Sequence, residues 1–329
     1  MSIDWQPLLE VISSSDSFLL TCHCRPDCDA LGSELGLAQI LESLGKQVRI
    51  VNGDPVPRTI GFIDPRQRIE LLDREVSGPQ VLKDLDVLVI VDTSAWGQLG
   101  PMAEVVRRFA GKKIVIDHHV SQDDMQALVC KDATAEATGR LILELATALG
   151  VTLTPEIAMP LFAAIATDTG WFRFSSVTEK TFMALARLVA AGASPPAIFS
   201  ALYEQHRIGR LLLRGRILQR VRAELDGRLL WTEVTSEDFR ESGADRTDTE
   251  DVINLLLTVA GSEVAAMFVE LDENITKISL RSRGVVDVCQ VASQFGGGGH
   301  RAAAGITWDG PLAEARAAVL DALRQTMGR

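Results

Sequence analysis

Histidine and aspartate recur in this chain immediately after short apolar runs. His23 follows residues 18–22 and opens His23-Cys24-Arg25-Pro26-Asp27-Cys28-Asp29; Asp92 follows the all-aliphatic run 87–91; Asp117-His118-His119 follows residues 114–116. Asp168 lies in Ala166-Thr167-Asp168-Thr169-Gly170, after a predicted helix. If Asp27, Asp29, Asp92, Asp117 and Asp168 converge, their carboxylates repel and resist ionisation unless something positive sits among them. Divalent cations meet that need. A mixed imidazole and carboxylate donor set suits Mn2+ or a similar borderline ion better than an oxygen-only Mg2+ cage, and the lack of paired thiolates argues against structural zinc. Two such ions ~3.5–4 Å apart, sharing a bridging carboxylate, would ready water for in-line attack on phosphorus. The chemistry is phosphoryl hydrolysis.

Taken singly, a His or Asp after a strand is more often a cap or a satisfied turn residue. Their joint placement reverses that balance: four of the five histidines (His23, His118, His119 and His300) fall inside polar motifs, and only His206, on a predicted connecting helix, looks incidental. Cys22, Cys24 and Cys28 flank His23, but their spacing lacks the C-x2-C pair of zinc sites, and alternate residues of an extended segment point to opposite faces. They read as small buried fillers. The odd total of five cysteines likewise predicts reduced thiols.

A second motif lies far along the chain, Phe295-Gly296-Gly297-Gly298-Gly299-His300-Arg301-Ala302-Ala303-Ala304-Gly305, preceded by Leu280-Arg281-Ser282-Arg283-Gly284. Consecutive glycines permit positive φ and bare backbone N–H groups, a cradle for phosphate or carboxylate. His300 and Arg301 add donors, and Arg281 at a strand end can grip phosphate bidentately. A glycine run by itself is as readily a flexible turn.

The elements that must position these groups follow from apolar periodicity. Residues 18–22, 48–51, 87–91 and 114–116 read as strands; 30–44, 102–110, 135–149, 156–167 and 179–191 read as helices. Near-continuous apolar strands alternating with helices predict a mostly parallel α/β sheet covered on both faces, with ligands beyond the strands' carboxyl ends. Gly192-Ala193-Ser194-Pro195-Pro196 breaks the pattern. The expected organisation is a catalytic domain over 1–194, a connecting helical linker over 195–224, and a smaller α+β domain over 225–329. In that last part, strands are expected at 229–234, 263–270 and 276–281, and helices at 249–259, 285–295 and 312–327.

Composition bounds the function. The chain has 329 residues, 47% hydrophobic and 23% charged, which predicts about two globular domains rather than disorder or a fibrous repeat. No apolar run approaches ~20 residues, and MSIDWQPLLE lacks a signal peptide's basic start and apolar stretch, so a cytoplasmic protein off the membrane is expected. A net charge of −11 argues against tight binding to long duplex nucleic acid.

His23-x3-Asp27-x-Asp29, Asp92, Asp117-His118-His119, Asp168, Arg281-Ser282 and Gly297-Gly298-Gly299-His300, in this order, resemble the DHH phosphoesterase superfamily with its DHH-associated C-terminal domain. At this length the resemblance is to the NrnA-type family of bifunctional oligoribonucleases and pAp phosphatases. It implies a hydrolase using two divalent cations, Mn2+ before Mg2+ or Co2+, that cuts very short RNA or DNA to mononucleotides and converts pAp to AMP. It further implies that His23, Asp27 and Asp92 hold one ion and Asp29, Asp92, His118 and Asp168 the other, with Asp92 as the bridge. Asp117 would orient ligands, and His119 would face the scissile phosphate or leaving oxygen. Arg281, Ser282, Gly297, Gly298, Gly299, His300 and Arg301 would hold the substrate across a cleft between the domains. A homodimer is compatible with the resemblance. Rival readings within the superfamily are a cyclic or linear dinucleotide phosphodiesterase, a single-strand exonuclease and a manganese pyrophosphatase; from another class, a nucleotide-binding regulator without turnover.

Overall fold

A computed structural model describes residues 3–73 and 81–328, which divide into two compact units, Met1–Gln205 and His206–Arg329.

In the first unit, β-branched and leucine-rich runs form a six-stranded parallel sheet. Its strands are β1 (Ser17–Thr21), β2 (Gln47–Asn52), β3 (Ile69–Leu71), β4 (Val87–Val91), β5 (Lys112–Asp117) and β6 (Leu128–Lys131), in the order β3-β2-β1-β4-β5-β6. Alternate residues face opposite layers. Phe18, Leu20, Val87, Val89, Val91, Ile114 and Ile116 enter one core, and Leu19, Leu88, Ile90 and Val115 enter the other. Helices Cys28–Ser43, Thr138–Ala148 and Pro155–Asp168 cover the first face, and Met102–Arg108 covers the second. The order reverses between the adjacent strands β1 and β4, so a crevice opens beyond their carboxyl ends.

Gly32 lets helix Cys28–Ser43 lie against helix Pro155–Asp168: a Cβ there would stand 2.4 Å from the Pro160 carbonyl oxygen. Those two helices carry Asp29 and Asp168. Asp168 is the last residue of its helix, where the sequence pattern places it just beyond.

The second unit is a mixed six-stranded sheet with helices on both faces. Its strands are β7 (Arg222–Glu224), β8 (Leu229–Val234), β9 (Val264–Asp272), β10 (Ile275–Ser282), β11 (Gly298–His300) and β12 (Ala303–Asp309), ordered β11-β12-β10-β9-β8-β7. Helices Val288–Ser293 and Leu312–Met327 share one core with β9, β10 and β12; Ile208–Gln219 and Val252–Leu256 share the other with β8 and β9.

One expectation needs correction. The connecting linker expected over 195–224 is not one continuous helix: it forms Pro195–Tyr203, then Ile208–Gln219, then β7, with His206 exposed in the break. The two helices serve different cores. Phe199 and Tyr203 pack on Trp171 at ring-centroid distances of 5.1 and 5.8 Å, whereas Leu213 and Ile217 enter the core beneath β8. Arg207, starting the second helix, is extended and pairs with Asp245 and Asp248.

Candidate metal centre

The first unit's crevice gathers the residues that stand at strand and helix ends. Asp27 caps helix Cys28–Ser43, its Oδ1 accepting from the N–H groups of Asp29 (2.9 Å) and Ala30 (3.0 Å). Asp92 follows β4 with φ of 61°, an uncommon backbone state outside glycine, and its N–H is held by the Ile116 carbonyl at 2.9 Å. Asp29, 1% exposed, accepts from the N–H groups of Thr138 (2.8 Å) and Gly139 (2.9 Å) at the start of helix Thr138–Ala148. That helix end supplies the bare donors and partial positive charge a buried carboxylate needs.

The side chains meet as two overlapping sets. His23 Nε2 lies 3.3 Å from Asp92 Oδ2 and 3.9 Å from Asp27 Oδ1. His118 Nε2 lies 3.6 Å from Asp92 Oδ1, 3.7 Å from Asp29 Oδ2 and 3.5 Å from Asp168 Oδ2. Both rings are fixed through the other nitrogen, His23 Nδ1 on the Cys24 carbonyl (2.9 Å) and His118 Nδ1 on the Ala135 carbonyl (3.1 Å). With Nδ1 carrying the proton toward a carbonyl, Nε2 keeps its lone pair for a cation, the usual arrangement of metal-bound imidazole. Donor atoms of His23, Asp27 and Asp92, and of Asp29, His118 and Asp168, each lie within 4.8 Å of one another, so both sets fit a divalent ion.

Asp92, His118 and His119 also lie that close, but His119 Nδ1 is already engaged, 2.9 Å from Asp117 Oδ1. Asp117 is wholly buried. Its Oδ1 also accepts the His119 N–H (3.0 Å), and its Oδ2 accepts from the Ser94 hydroxyl (2.5 Å) and faces Lys131 Nζ at 3.2 Å. These contacts account for the acceptor sites of a carboxylate, so Asp117 holds His119 rather than a metal.

The electrostatics agree. Burial, with the charges of Asp92, Asp168 and Asp27, pushes Asp29 well above the usual carboxylate range. Burial and the neighbouring acids, opposed by His118, lift Asp168 to about 6. His23 is raised to about 9: burial pulls it down, but its hydrogen bonds to Asp92 and Cys24 and the nearby charges outweigh that. In Asp117 the hydrogen bonds from His119 and Ser94 and the charge of Lys131 overcome burial and hold it at about 2. Among the described residues Asp29 and Asp168 thus lack full compensating positive charge, as a cation-binding set should, and Asp117 has it.

Several contributors carry no motif. Thr138 and Gly139 sit 109 and 110 residues from Asp29, Ser94 lies in a loop, and Lys131 ends a strand too short to read from periodicity. Asn52, ending β2, accepts the Cys22 N–H at 3.3 Å and donates to the wholly buried Glu34 at 2.8 Å, tying the His23 segment to the sheet. Cys22 and Cys28 are buried, and Cys24 is half-buried.

In the second unit, the glycine motif forms β11 and its turn into β12. Ala303 pairs with Arg281 on one side and His300 on the other, so these two residues share one row across the sheet and project to one face. Gly298 opens onto free space, and Gly299 has φ of 143° with the Ala303 carbonyl 2.4 Å from where a Cβ would be. Gly297 differs from the expected cradle residue: the Gly305 carbonyl fills the room its missing side chain leaves, again at 2.4 Å, so it serves strand packing. Ser282 is turned inward, its hydroxyl accepting the Gly284 N–H at 3.0 Å, and Arg301 Nε donates to the Gly284 carbonyl at 3.3 Å.

Residues 17–165 match the DHH family, N-terminal domain, and residues 226–329 match the DHHA1 domain. Over 313 residues the chain is 34% identical to the bifunctional oligoribonuclease and PAP phosphatase NrnA of Thermus thermophilus, covering 94% of this chain and 90% of that protein. This chain belongs to the DHH family. A solved exopolyphosphatase-related protein from Bacteroides fragilis, 26% identical, superposes with a TM-score of 0.85 over 97% of this chain and 95% of its own. RecJ from Thermus thermophilus, solved in complex with Mn2+, shares the fold alone at 15% identity and a TM-score of 0.50, over 98% of this chain and 55% of its own. The DHH domain's β1 and β4 thus deliver His23 and Asp92, and its helices deliver Asp29 and Asp168. Among the described residues no single helix is long and apolar enough to cross a membrane.

Proposed function

We propose that this protein is a phosphoesterase using two divalent cations, Mn2+ in preference to Mg2+ or Co2+, that cleaves short oligoribonucleotides to mononucleotides and removes the 3′-phosphate of pAp. The observation that carries the reading is Asp92, whose two carboxylate oxygens each face a different imidazole, His23 at 3.3 Å and His118 at 3.6 Å. A structural carboxylate has no need of such an arrangement, whereas one shared by two cations does. His23, Asp27 and Asp92 would hold one ion, and Asp29, Asp92, His118 and Asp168 the other. Bound there, the ions would lower the pKa of water and neutralise charge developing on the phosphate.

The chain's own groups do the rest. His119, its Nδ1–H fixed on Asp117, presents Nε2 to the phosphate or the leaving oxygen, where, once Nε2 has taken up a proton, it can donate a hydrogen bond or hand that proton on. Arg281 and His300, in one row of the second sheet, grip the phosphate or base at the substrate's far end; Gly298 keeps the backbone open beside them, and Gly299 supplies the positive-φ turn that lets the strand close against Ala303. Binding energy spent there aligns the scissile bond, which favours substrates of a few nucleotides. A net charge of −11 disfavours a longer backbone.

The test is turnover by the Mn2+-loaded protein of pAp, dinucleotides, 5-mers, 24-mers, cyclic dinucleotides and pyrophosphate side by side. Release of AMP from pAp and mononucleotides from the dinucleotide, with little from the 24-mer, supports the reading. Hydrolysis confined to cyclic dinucleotides or pyrophosphate, or binding without product, overturns it.

A further inference from the structure

Lys131 closes a polar chain that ends on His119. It is the last residue of β6 and pairs in register with Asp117 of β5, which sets the two side chains together at the sheet's carboxyl edge. Its side chain is 12% exposed, and its ammonium has three acceptors for three protons: Ser94 Oγ at 2.7 Å, the Ser121 carbonyl at 2.5 Å and Asp117 Oδ2 at 3.2 Å. Because Lys131 donates to Ser94, the single Ser94 proton is directed onto Asp117 Oδ2, 2.5 Å away. The other oxygen, Oδ1, is then left to the N–H and Nδ1–H of His119. A buried acceptor that holds one imidazole nitrogen fixes both tautomer and ring direction.

We infer that Lys131 is a positioning residue for His119, holding it through Ser94 and Asp117 as the Nδ1–H tautomer with Nε2 turned to the reacting phosphate. The inference rests on the role given to His119 in the proposed function. Without Lys131, Asp117 keeps its burial but loses its ammonium contact, and Ser94 is free to turn its proton to the Ser121 carbonyl, 2.8 Å away. Asp117 then holds the ring less firmly, while the cation ligands are untouched.

The experiment compares Lys131→Met, Lys131→Arg and Ser94→Ala with the wild type, using pAp at saturating Mn2+, together with Mn2+ stoichiometry and the ring 15N shifts of His119 in the Mg2+-loaded protein. The expected result is a fall in kcat of about 10- to 100-fold in Lys131→Met, with KM within about twofold and two Mn2+ still bound. The His119 nitrogens should move from a single Nδ1–H pattern toward a tautomer mixture, and Lys131→Arg should recover part of the loss. Ser94→Ala carries the same test should Lys131→Met fail to fold. An unchanged kcat, unshifted His119 nitrogens, or a loss that tracks Mn2+ release each overturns the inference. If the wild type itself turns over no phosphate ester, the proposed function fails, and the 15N comparison still decides whether Lys131 sets the His119 tautomer.

Discussion

Thr138 donates its hydroxyl to Asp92 Oδ1 and its backbone N–H to Asp29 Oδ2, both at 2.8 Å, so one residue at a helix start orients two acids from different parts of the chain. Thr138→Val keeps the shape and the N–H but removes the hydroxyl. The expected outcome is Mn2+ affinity weakened about 10-fold or more, measured by calorimetric titration, with circular dichroism unchanged. Unaltered affinity would show that Asp92 needs no such support.

Arg281 and His300 flank Ala303 in a single row of the second sheet. Arg281→Ala or His300→Ala should raise KM for pAp and also lower kcat, because binding energy at a remote point is used to align the scissile bond. Steady-state kinetics matching the wild type would remove both residues from substrate binding.

Metal removal should make stability fall as pH rises. Asp168, with a folded value of about 6 against an ordinary 3.8, binds more protons folded than unfolded across that window, so raising the pH through it destabilises the fold. His23, raised from 6.5 to about 9, adds stability below about pH 6.5 that is lost as pH climbs to 9. Asp117 acts oppositely, but between about 2 and 3.8, so its contribution is complete by pH 4. Thermal melts of the metal-free protein should therefore show Tm declining from pH 4 upward. Added Mn2+, which displaces those protons, should raise Tm more at pH 8 than at pH 5. A Tm gain independent of pH would contradict this.

Gly32→Ala drives a methyl into the Pro160 carbonyl, 2.4 Å away, and so forces apart the helices that bear Asp29 and Asp168. Denaturant unfolding should report a loss of about 1–3 kcal/mol. The Mn2+ titration should weaken with it, and a neutral result on both measures would mean that the helix contact does not set the site.

Most of this architecture is legible in the residues themselves. The apolar runs at 18–22 and 87–91 locate β1 and β4, and the polar residues at their ends, His23 and Asp92, announce the crevice because a parallel sheet exposes its strand ends there. Short edge strands are not legible: β3 and β6 have three and four residues, too few for periodicity to register. With β6 unseen, Lys131 has no visible partner, although pairing places it beside Asp117. Thr138 is hidden for a different reason. Its partners Asp29 and Asp92 lie far away in sequence, and only the folded helix aims its N–H and hydroxyl at them. The glycine motif is visible as a run, but which glycine meets backbone and which meets open space depends on the register of β11 with β12, set by pairing rather than composition.

The central claim is that Asp92 is shared by two cations. Soaking crystals of the metal-free protein in Mn2+ and collecting anomalous diffraction tests it directly. Two peaks are expected, one among His23, Asp27 and Asp92 and the other among Asp29, Asp92, His118 and Asp168, each contacted by a different Asp92 oxygen. A single peak, or a pair of ions that leaves Asp92 uncoordinated, would contradict the account.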